Sequence, residues 1–188
     1  MRLAPTPSQT VGPFFHVAYP RTGTAELVSR ADSGALVISG TVWDGNGDCV
    51  PDAFIELWQA NRAGRYAHPE DRRDDVPLEE GFVGFGRCSA DADGRYEFVT
   101  VKPGPVPWPG GGMQAPHIAV SVFARGLLKR VVTRIYFPDE PGANATDPVL
   151  SSVADPKARA SLIAVEEDGG LRFDIHLQGE NETVFFDI

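Results

Sequence analysis

A loop dense in proline and glycine, followed at once by an alternating apolar run, constrains the fold of this chain more than any other stretch. The loop covers residues 102–116, and the run reads His-Ile-Ala-Val-Ser-Val-Phe from His117 to Phe123. Proline disfavours helical backbone in the preceding residue, and a period of two predicts a β-strand. A histidine at the mouth of a strand can serve as a ligand or a base, although a lone histidine is more often a packed side chain. The position two residues on, which shares its face, holds Ala119 and offers no second ligand.

Short apolar runs bounded by turn residues recur along the rest of the chain. Strands are predicted at residues 36–42, 54–59, 84–89, 96–101, 117–123, 130–137 and 171–178. The turn sequence Asp-Ala-Asp-Gly at 91–94 predicts a hairpin between 84–89 and 96–101. One helix is predicted at 155–164, with Asp155 as its cap and Pro156 in its first turn. Closely spaced strands with one short helix predict an all-β fold, an antiparallel β-sandwich with long loops.

Composition narrows the class of protein. The 188 residues suit one domain over 1–188, with an N-terminal arm at about 1–16 that is rich in proline, glycine and serine. The net charge of −9 argues against nucleic acid and anionic membranes as partners. No apolar run reaches the roughly 20 residues of a membrane span, and no signal peptide is recognisable. Cys49 and Cys88 show no motif spacing, so we expect reduced thiols in a cytoplasmic protein.

Several motifs spread along the chain point to one family. They are Leu-Trp-Gln-Ala-Asn at 57–61, Gly-Arg-Tyr at 64–66, Gly-Phe-Gly-Arg at 84–87, Asp-Gly-Arg-Tyr at 93–96, Lys-Pro-Gly-Pro at 102–105 and Ala-Pro-His-Ile at 115–118. Through them the chain resembles the intradiol ring-cleaving dioxygenases over nearly its whole length. The resemblance implies a β-sandwich and a non-haem Fe(III) site with two tyrosine and two histidine ligands. Phenolate and imidazole groups suit this hard, oxidised ion.

Carried over position by position, the ligand pattern of that family is incomplete here. Tyr66 matches the first tyrosine and His117 the first histidine, but Val106 and Ala119 stand at the other two positions. Gln114 replaces an arginine that the family places shortly before its histidines. The resemblance therefore implies a degenerate site, with no metal ligand set and no catalytic residue in this chain.

Some members of the family are built from two homologous chains, of which only one binds iron. The resemblance implies that this chain corresponds to the iron-free one, which carries such a degenerate site. The arm at 6–14 and the segments 123–126, 133–137, 140–145, 172–174 and 178–187 resemble such chains. The resemblance implies a homologous partner chain that holds Fe(III), a high-order assembly of both chains, a small aromatic substrate and O2.

Two parts of this chain are expected to reach the substrate in the partner's site. The family's arm lies near the substrate, which implicates Thr10, Gly12, Pro13 and Phe14; a polar tail is the alternative. Arg134 is predicted to face a substrate carboxylate, which a guanidinium can hold with two parallel hydrogen bonds. An interfacial or solvent-facing arginine fits the sequence equally well.

Two other classes of function remain open on the sequence alone. One is a self-sufficient, homo-oligomeric iron enzyme that uses Tyr66, His68 and His117, with an acidic residue as an optional further ligand. Iron in the isolated chain distinguishes it from an iron-free subunit. The other is a binding module without activity, because sandwiches host many unrelated functions. Ring cleavage restored by adding a partner chain excludes that class.

Overall fold

The computed structural model describes residues 24–167 and 169–187, which form strands and short helices. The strands are β1 Ala35–Trp43, β2 Phe54–Trp58, β3 Phe85–Ser89, β4 Arg95–Val101, β5 Val106–Pro107, β6 Met113–Gln114, β7 His117–Phe123, β8 Val131–Tyr136, β9 Val165–Glu167, β10 Gly170–Arg172 and β11 Ile175–His176. The helices are α1 Pro141–Thr146, α2 Pro148–Ser152 and α3 Pro156–Ala160. This composition confirms the predicted all-β class. Nowhere in these two ranges is a helix long and apolar enough to cross a membrane.

One sheet is built around β1. On one side β1 pairs antiparallel with β4, from Ala35↔Val101 to Thr41↔Arg95. On the other side it pairs in parallel with β10 and then with β11, and β9 pairs with β10. The first and last parts of the described chain are therefore neighbours in one sheet.

The second sheet has the order β3-β2-β7-β8 and is antiparallel throughout. Its inner face meets the β1 sheet in a core that includes Ile38, Ile55, Phe98, Val120 and Ile135. The alternation predicted for β7 is confirmed, because Ile118, Val120 and Val122 lie in this core while the residues between them do not. A separate two-stranded ribbon, β5-β6, carries the loop that precedes β7.

The predicted hairpin at 84–101 is wrong. β3 pairs with β2 and β4 pairs with β1, so consecutive strands belong to different sheets. The turn itself forms, with the Gly94 amide donating to the Asp91 carbonyl. Turn residues specify a chain reversal, whereas the strand edges available nearby decide which partner each strand takes.

The helices also differ from the prediction. Asp155 caps α3 as expected, with its side chain accepting from the Lys157 amide, but the helix ends at Ala160 rather than at residue 164. Beyond it the chain pairs with the edge of β8, where the Ala164 amide donates to the Tyr136 carbonyl. The helices α1 and α2 were not predicted. Each has proline in its first turn, the same signal that identified α3.

Candidate functional site

Three strands of the second sheet align a row of side chains on the face turned away from the core. Trp58 of β2 pairs with Ala119 of β7, and Ala119 pairs with Arg134 of β8. One step along, His117 pairs with Tyr136. Directly opposed residues share a face of a sheet, so these five positions form the floor of one site.

A tight loop places Tyr66 over this floor. The Asn61 side chain accepts from the Arg65 amide at 2.9 Å, and Gly64 adopts φ +83° between them. A Cβ on Gly64 would lie 2.2 Å from the Pro105 carbonyl oxygen, so the loop is pressed against the segment that leads into β5. The Tyr66 ring stacks on Trp58, with ring centroids 5.6 Å apart and an interplanar angle of 13°.

A charged clamp fixes the far side of that loop. The Tyr66 amide donates to the Asp71 carboxylate at 2.8 Å, and Arg73 donates to the same carboxylate at 2.8 Å. The hydrogen bonds from Arg73 are the main reason that the pKa of Asp71 lies well below its usual range. Burial is the main cause of the raised pKa of Tyr66, and the nearby charge of Arg134 opposes it.

His117 is a buried, neutral imidazole. It is 6% exposed, and its Nδ1 lies 2.8 Å from the Ala115 carbonyl oxygen. A carbonyl only accepts, so Nδ1 carries the proton and Nε2 carries the lone pair. Burial, followed by the charge of Arg134, lowers the pKa of His117 to about 4. Its ring lies 5.7 Å from that of Tyr136.

Arg134 is held by groups of this chain. Its Nη1 donates to Gln114 Oε1 at 2.8 Å and to the Tyr136 hydroxyl at 3.3 Å. That hydroxyl donates onward to Asp147 Oδ1 at 3.0 Å. Asp147 is fully buried and also accepts from the Ala115 amide at 2.8 Å. A chain of hydrogen bonds thus connects the guanidinium, through Tyr136, to a buried carboxylate and to the backbone beside His117.

The residues present do not fit a ferric ion. Val106 is buried on β5 opposite Gln114, and Ala119 lies beside Arg134; neither side chain has a donor atom. Tyr66 and His117 are left as the two ligand-type groups at the four positions. In residues 24–167 and 169–187, no cluster of three or more His, Cys, Asp or Glu residues suits a metal ion. No reaction step is therefore assigned to a metal in this chain.

A groove of about 600 Å³ opens beside Tyr66 and is partly lined by Trp58, Val106 and Gln114. His68 also lines it, with its ring edge-on to Trp58 at 6.2 Å. The Nδ1 of His68 accepts from the Glu70 amide at 3.2 Å. This hydrogen bond within the loop orients the His68 ring.

The structure brings together the degenerate positions Tyr66, Val106, His117 and Ala119 and adds Arg134 to them. The predicted arm contacts, Thr10, Gly12, Pro13 and Phe14, lie outside the described residues. Sequence reasoning missed Asp147 and Tyr136, which orient the guanidinium. The Asp-Pro pair at 147–148 signals a helix cap, but nothing in the sequence indicates that the same carboxylate accepts from Tyr136.

Comparisons with known proteins agree with this geometry. A family model described as Dioxygenase matches residues 12–179. The alpha chain of protocatechuate 3,4-dioxygenase from Pseudomonas putida is 43% identical, and the alignment covers 98% of this chain and 97% of that one. The beta chain of the enzyme from Burkholderia cepacia is 40% identical over 79% of this chain and 66% of that one. The dioxygenase domain of a carbohydrate-binding fusion protein from Streptomyces sp. SirexAA-E shares 25% identity and a TM-score of 0.55, covering 94% of this chain and 99% of that domain. The chain therefore belongs to the dioxygenase family that its motifs predicted, the intradiol ring-cleaving enzymes.

Proposed function

We propose that this chain is the alpha subunit of a protocatechuate 3,4-dioxygenase. The observation that carries the proposal is the alignment with an alpha chain of that enzyme over 98% of this chain. In the proposed reaction, O2 and a ferric iron held by the beta subunit open the protocatechuate ring between its hydroxyl-bearing carbons, giving 3-carboxy-cis,cis-muconate. Val106 and Ala119 support the assignment of the iron to beta, because they remove two ligands from this chain.

The contribution of this chain is a wall of the substrate pocket. We propose that the arm at about 1–16, through Thr10, Gly12, Pro13 and Phe14, reaches the beta subunit's site. The remainder forms a single domain, in a high-order assembly of both subunits. A cytoplasmic location belongs to the same proposal.

Arg134 is proposed to bind the substrate carboxylate. Its Nη1 is engaged by Gln114 and Tyr136, and within the described part of the chain no hydrogen bond or ion pair occupies Nε or Nη2. That Nε–Nη2 edge is suited to bidentate recognition of a carboxylate. The hydrogen bonds through Nη1 hold the guanidinium in a fixed orientation.

Co-expression tests the subunit assignment. This chain, tagged and expressed with a beta chain, should purify as a mixed complex that cleaves protocatechuate and holds about one iron per pair of chains. Expressed alone it should be colourless and lack iron. Near-stoichiometric iron in the isolated chain, with a phenolate-to-iron absorption band, would instead support the self-sufficient enzyme. A complex that forms without cleaving the ring would support a binding module.

Kinetics of the complex test Arg134. Arg134→Ala should raise KM for protocatechuate by a factor equivalent to roughly 1.5–3 kcal/mol, the range for a hydrogen-bonded charged contact. Catechol lacks the carboxylate, so its turnover serves as the control and should be unchanged. Equal losses with both substrates would indicate a packing defect, and an unchanged KM for protocatechuate would make Arg134 an interface residue.

A further inference from the structure

We propose that the guanidinium of Arg134 takes the place of the metal ion in the degenerate site, as a built-in cation that keeps metal ions out. The inference rests on the proposed function and concerns the Nη1 side of the guanidinium, which faces the alpha subunit's own site. The substrate carboxylate is proposed to bind the other edge, Nε–Nη2. It goes further in giving Arg134 an active part in excluding metal ions, beside the lack of donor atoms at Val106 and Ala119.

The position of Arg134 relates it to both lost ligands. Ala119 is directly opposite Arg134 on the neighbouring strand, and its methyl group leaves space on that face for a longer neighbour. Val106 is directly opposite Gln114, and Gln114 accepts from Arg134 Nη1 at 2.8 Å. Arg134 is therefore the strand neighbour of one position without a donor, and it is hydrogen-bonded to the strand neighbour of the other.

Arg134 shares one face of the sheet with His117, one of the two remaining ligand-type groups. Its second bond goes to the Tyr136 hydroxyl, in the row that contains His117. The charge is felt at Tyr66 and at His117, where it acts to lower both pKa values. A positive charge in a partly buried site disfavours a second cation nearby.

The hydrogen bonds of this network also connect two elements beside the site. Here Arg134 contacts the ribbon through Gln114 and the core through Tyr136, and Asp147 secures Tyr136 and the Ala115 amide. The buried carboxylate, linked through one hydroxyl, also supplies charge of the opposite sign.

Cobalt uptake by the complex tests this proposal. The complex with an iron-loaded beta chain is dialysed against Co(II), and cobalt and iron are measured by elemental analysis with the visible spectrum of cobalt. Ala119→His supplies a third donor beside Tyr66 and His117. With Arg134 in place we expect cobalt at the wild-type level. With Arg134→Gln added we expect about one further equivalent, since imidazole ligands bind this ion well.

A charge-matched variant separates charge from shape. Ala119→His with Arg134→Lys keeps the positive charge and should remain without cobalt. Adding His117→Gln to the cobalt-binding variant should abolish uptake, which places the ion at this site. Cobalt bound by Ala119→His alone, cobalt bound by the lysine variant, cobalt retained after His117→Gln, or no cobalt with the glutamine variant would each overturn the proposal. If Ala119→His prevents assembly, the smaller Ala119→Cys gives the same comparison.

The controls keep this proposal separate from the subunit assignment. Iron in the isolated wild-type chain would contradict the assignment as an iron-free alpha subunit. The cobalt comparison is made between variants whose beta chains keep their iron, so its outcome depends on Arg134.

Discussion

At the scale of single residues, His117 shows how burial and charge together determine a protonation state. The imidazole is removed from water and lies near a guanidinium, and both effects disfavour its charged form. In the unfolded chain the same side chain titrates near its ordinary pKa of about 6.5. Between these two pKa values the histidine is protonated in the unfolded chain and neutral in the folded chain.

The consequence is a loss of stability on acidification. Because the folded pKa is about 4, lower than the unfolded value, the stability is fully present above pH about 6.5 and declines as the pH falls toward 4. The expected loss over this window is roughly 1–3 kcal/mol. It is measured by urea unfolding of the complex at several pH values.

The control for this pH effect is His117→Gln, which should flatten the profile between pH 4 and 6.5. His176→Gln makes the same substitution at a half-buried histidine of β11 that lies outside the network around Arg134, and it serves as the matched control. A wild-type profile that is already flat in this window would contradict the buried neutral imidazole.

Some residue-scale features were predictable from the sequence and others were not. Val106 and Ala119 have side chains without donor atoms in any conformation, so the sequence alone shows that neither side chain can bind a metal ion. The direction of the Arg134 guanidinium could not be predicted from the sequence. The guanidinium donates to the Tyr136 hydroxyl, which is oriented in turn by Asp147 on a later element of the chain. An alternating strand pattern assigns a side chain to a face without specifying what it contacts there.

At the scale of elements, two aspartates cap short helices with different consequences. Asp155 caps α3 with one hydrogen bond to the Lys157 amide, and it is exposed. Asp147 caps α2 through the amides of Val149 and Leu150 and also accepts from Tyr136 and Ala115. The first cap stabilises a local turn, whereas the second joins the helix to β8 and to the entrance of β7.

Substitution of the two caps should therefore give unequal losses. Asp155→Ala should lower the free energy of unfolding by about 0.5–1 kcal/mol, as an exposed cap does. Asp147→Ala should cost roughly 3 kcal/mol or more, because several buried donors lose their acceptor. Chemical denaturation of both variants gives the comparison. Similar losses at the two positions would show that the contacts of Asp147 with Tyr136 and Ala115 add little.

Sequence patterns predicted the positions of several strands but not which strands pair. The strands at 36–42, 54–59, 117–123 and 130–137 were predicted within one or two residues, because alternating burial determines them locally. The partners of β3 and β4 were predicted wrongly, because each strand pairs with a strand much earlier in the sequence, β3 with β2 and β4 with β1, and not with its neighbour in the chain.

At the scale of the whole molecule, one hydroxyl connects the middle of the chain to its C-terminal part. Tyr96 of β4 is 3% exposed, and its hydroxyl donates to the Phe173 carbonyl between β10 and β11. A Cβ placed on Gly40 of β1 would lie only 1.9 Å from the same carbonyl oxygen. The segment from β10 to β11 is therefore held tightly against β1.

Removal of that hydroxyl should weaken the whole fold. Tyr96→Phe leaves a buried carbonyl without its partner and should cost roughly 1–3 kcal/mol in the free energy of unfolding. Tyr66→Phe is the matched control, because the Tyr66 hydroxyl has no hydrogen bond to any described residue; we expect a change within about 0.5 kcal/mol. Comparable losses in the two variants would contradict the assigned contact.

The parallel pairing of β1 with β10 also has a consequence for synthesis of the chain. Ile38 pairs with Leu171, so more than a hundred further residues are synthesised before the strand that pairs with this edge of β1 is available. At translation rates of about 5–20 residues per second, that interval is on the order of ten seconds. Throughout it, a strand with a bare hydrogen-bonding edge is exposed to other nascent chains. We therefore expect this chain to present an unpaired strand edge during synthesis for longer than a protein whose neighbouring strands are consecutive in sequence.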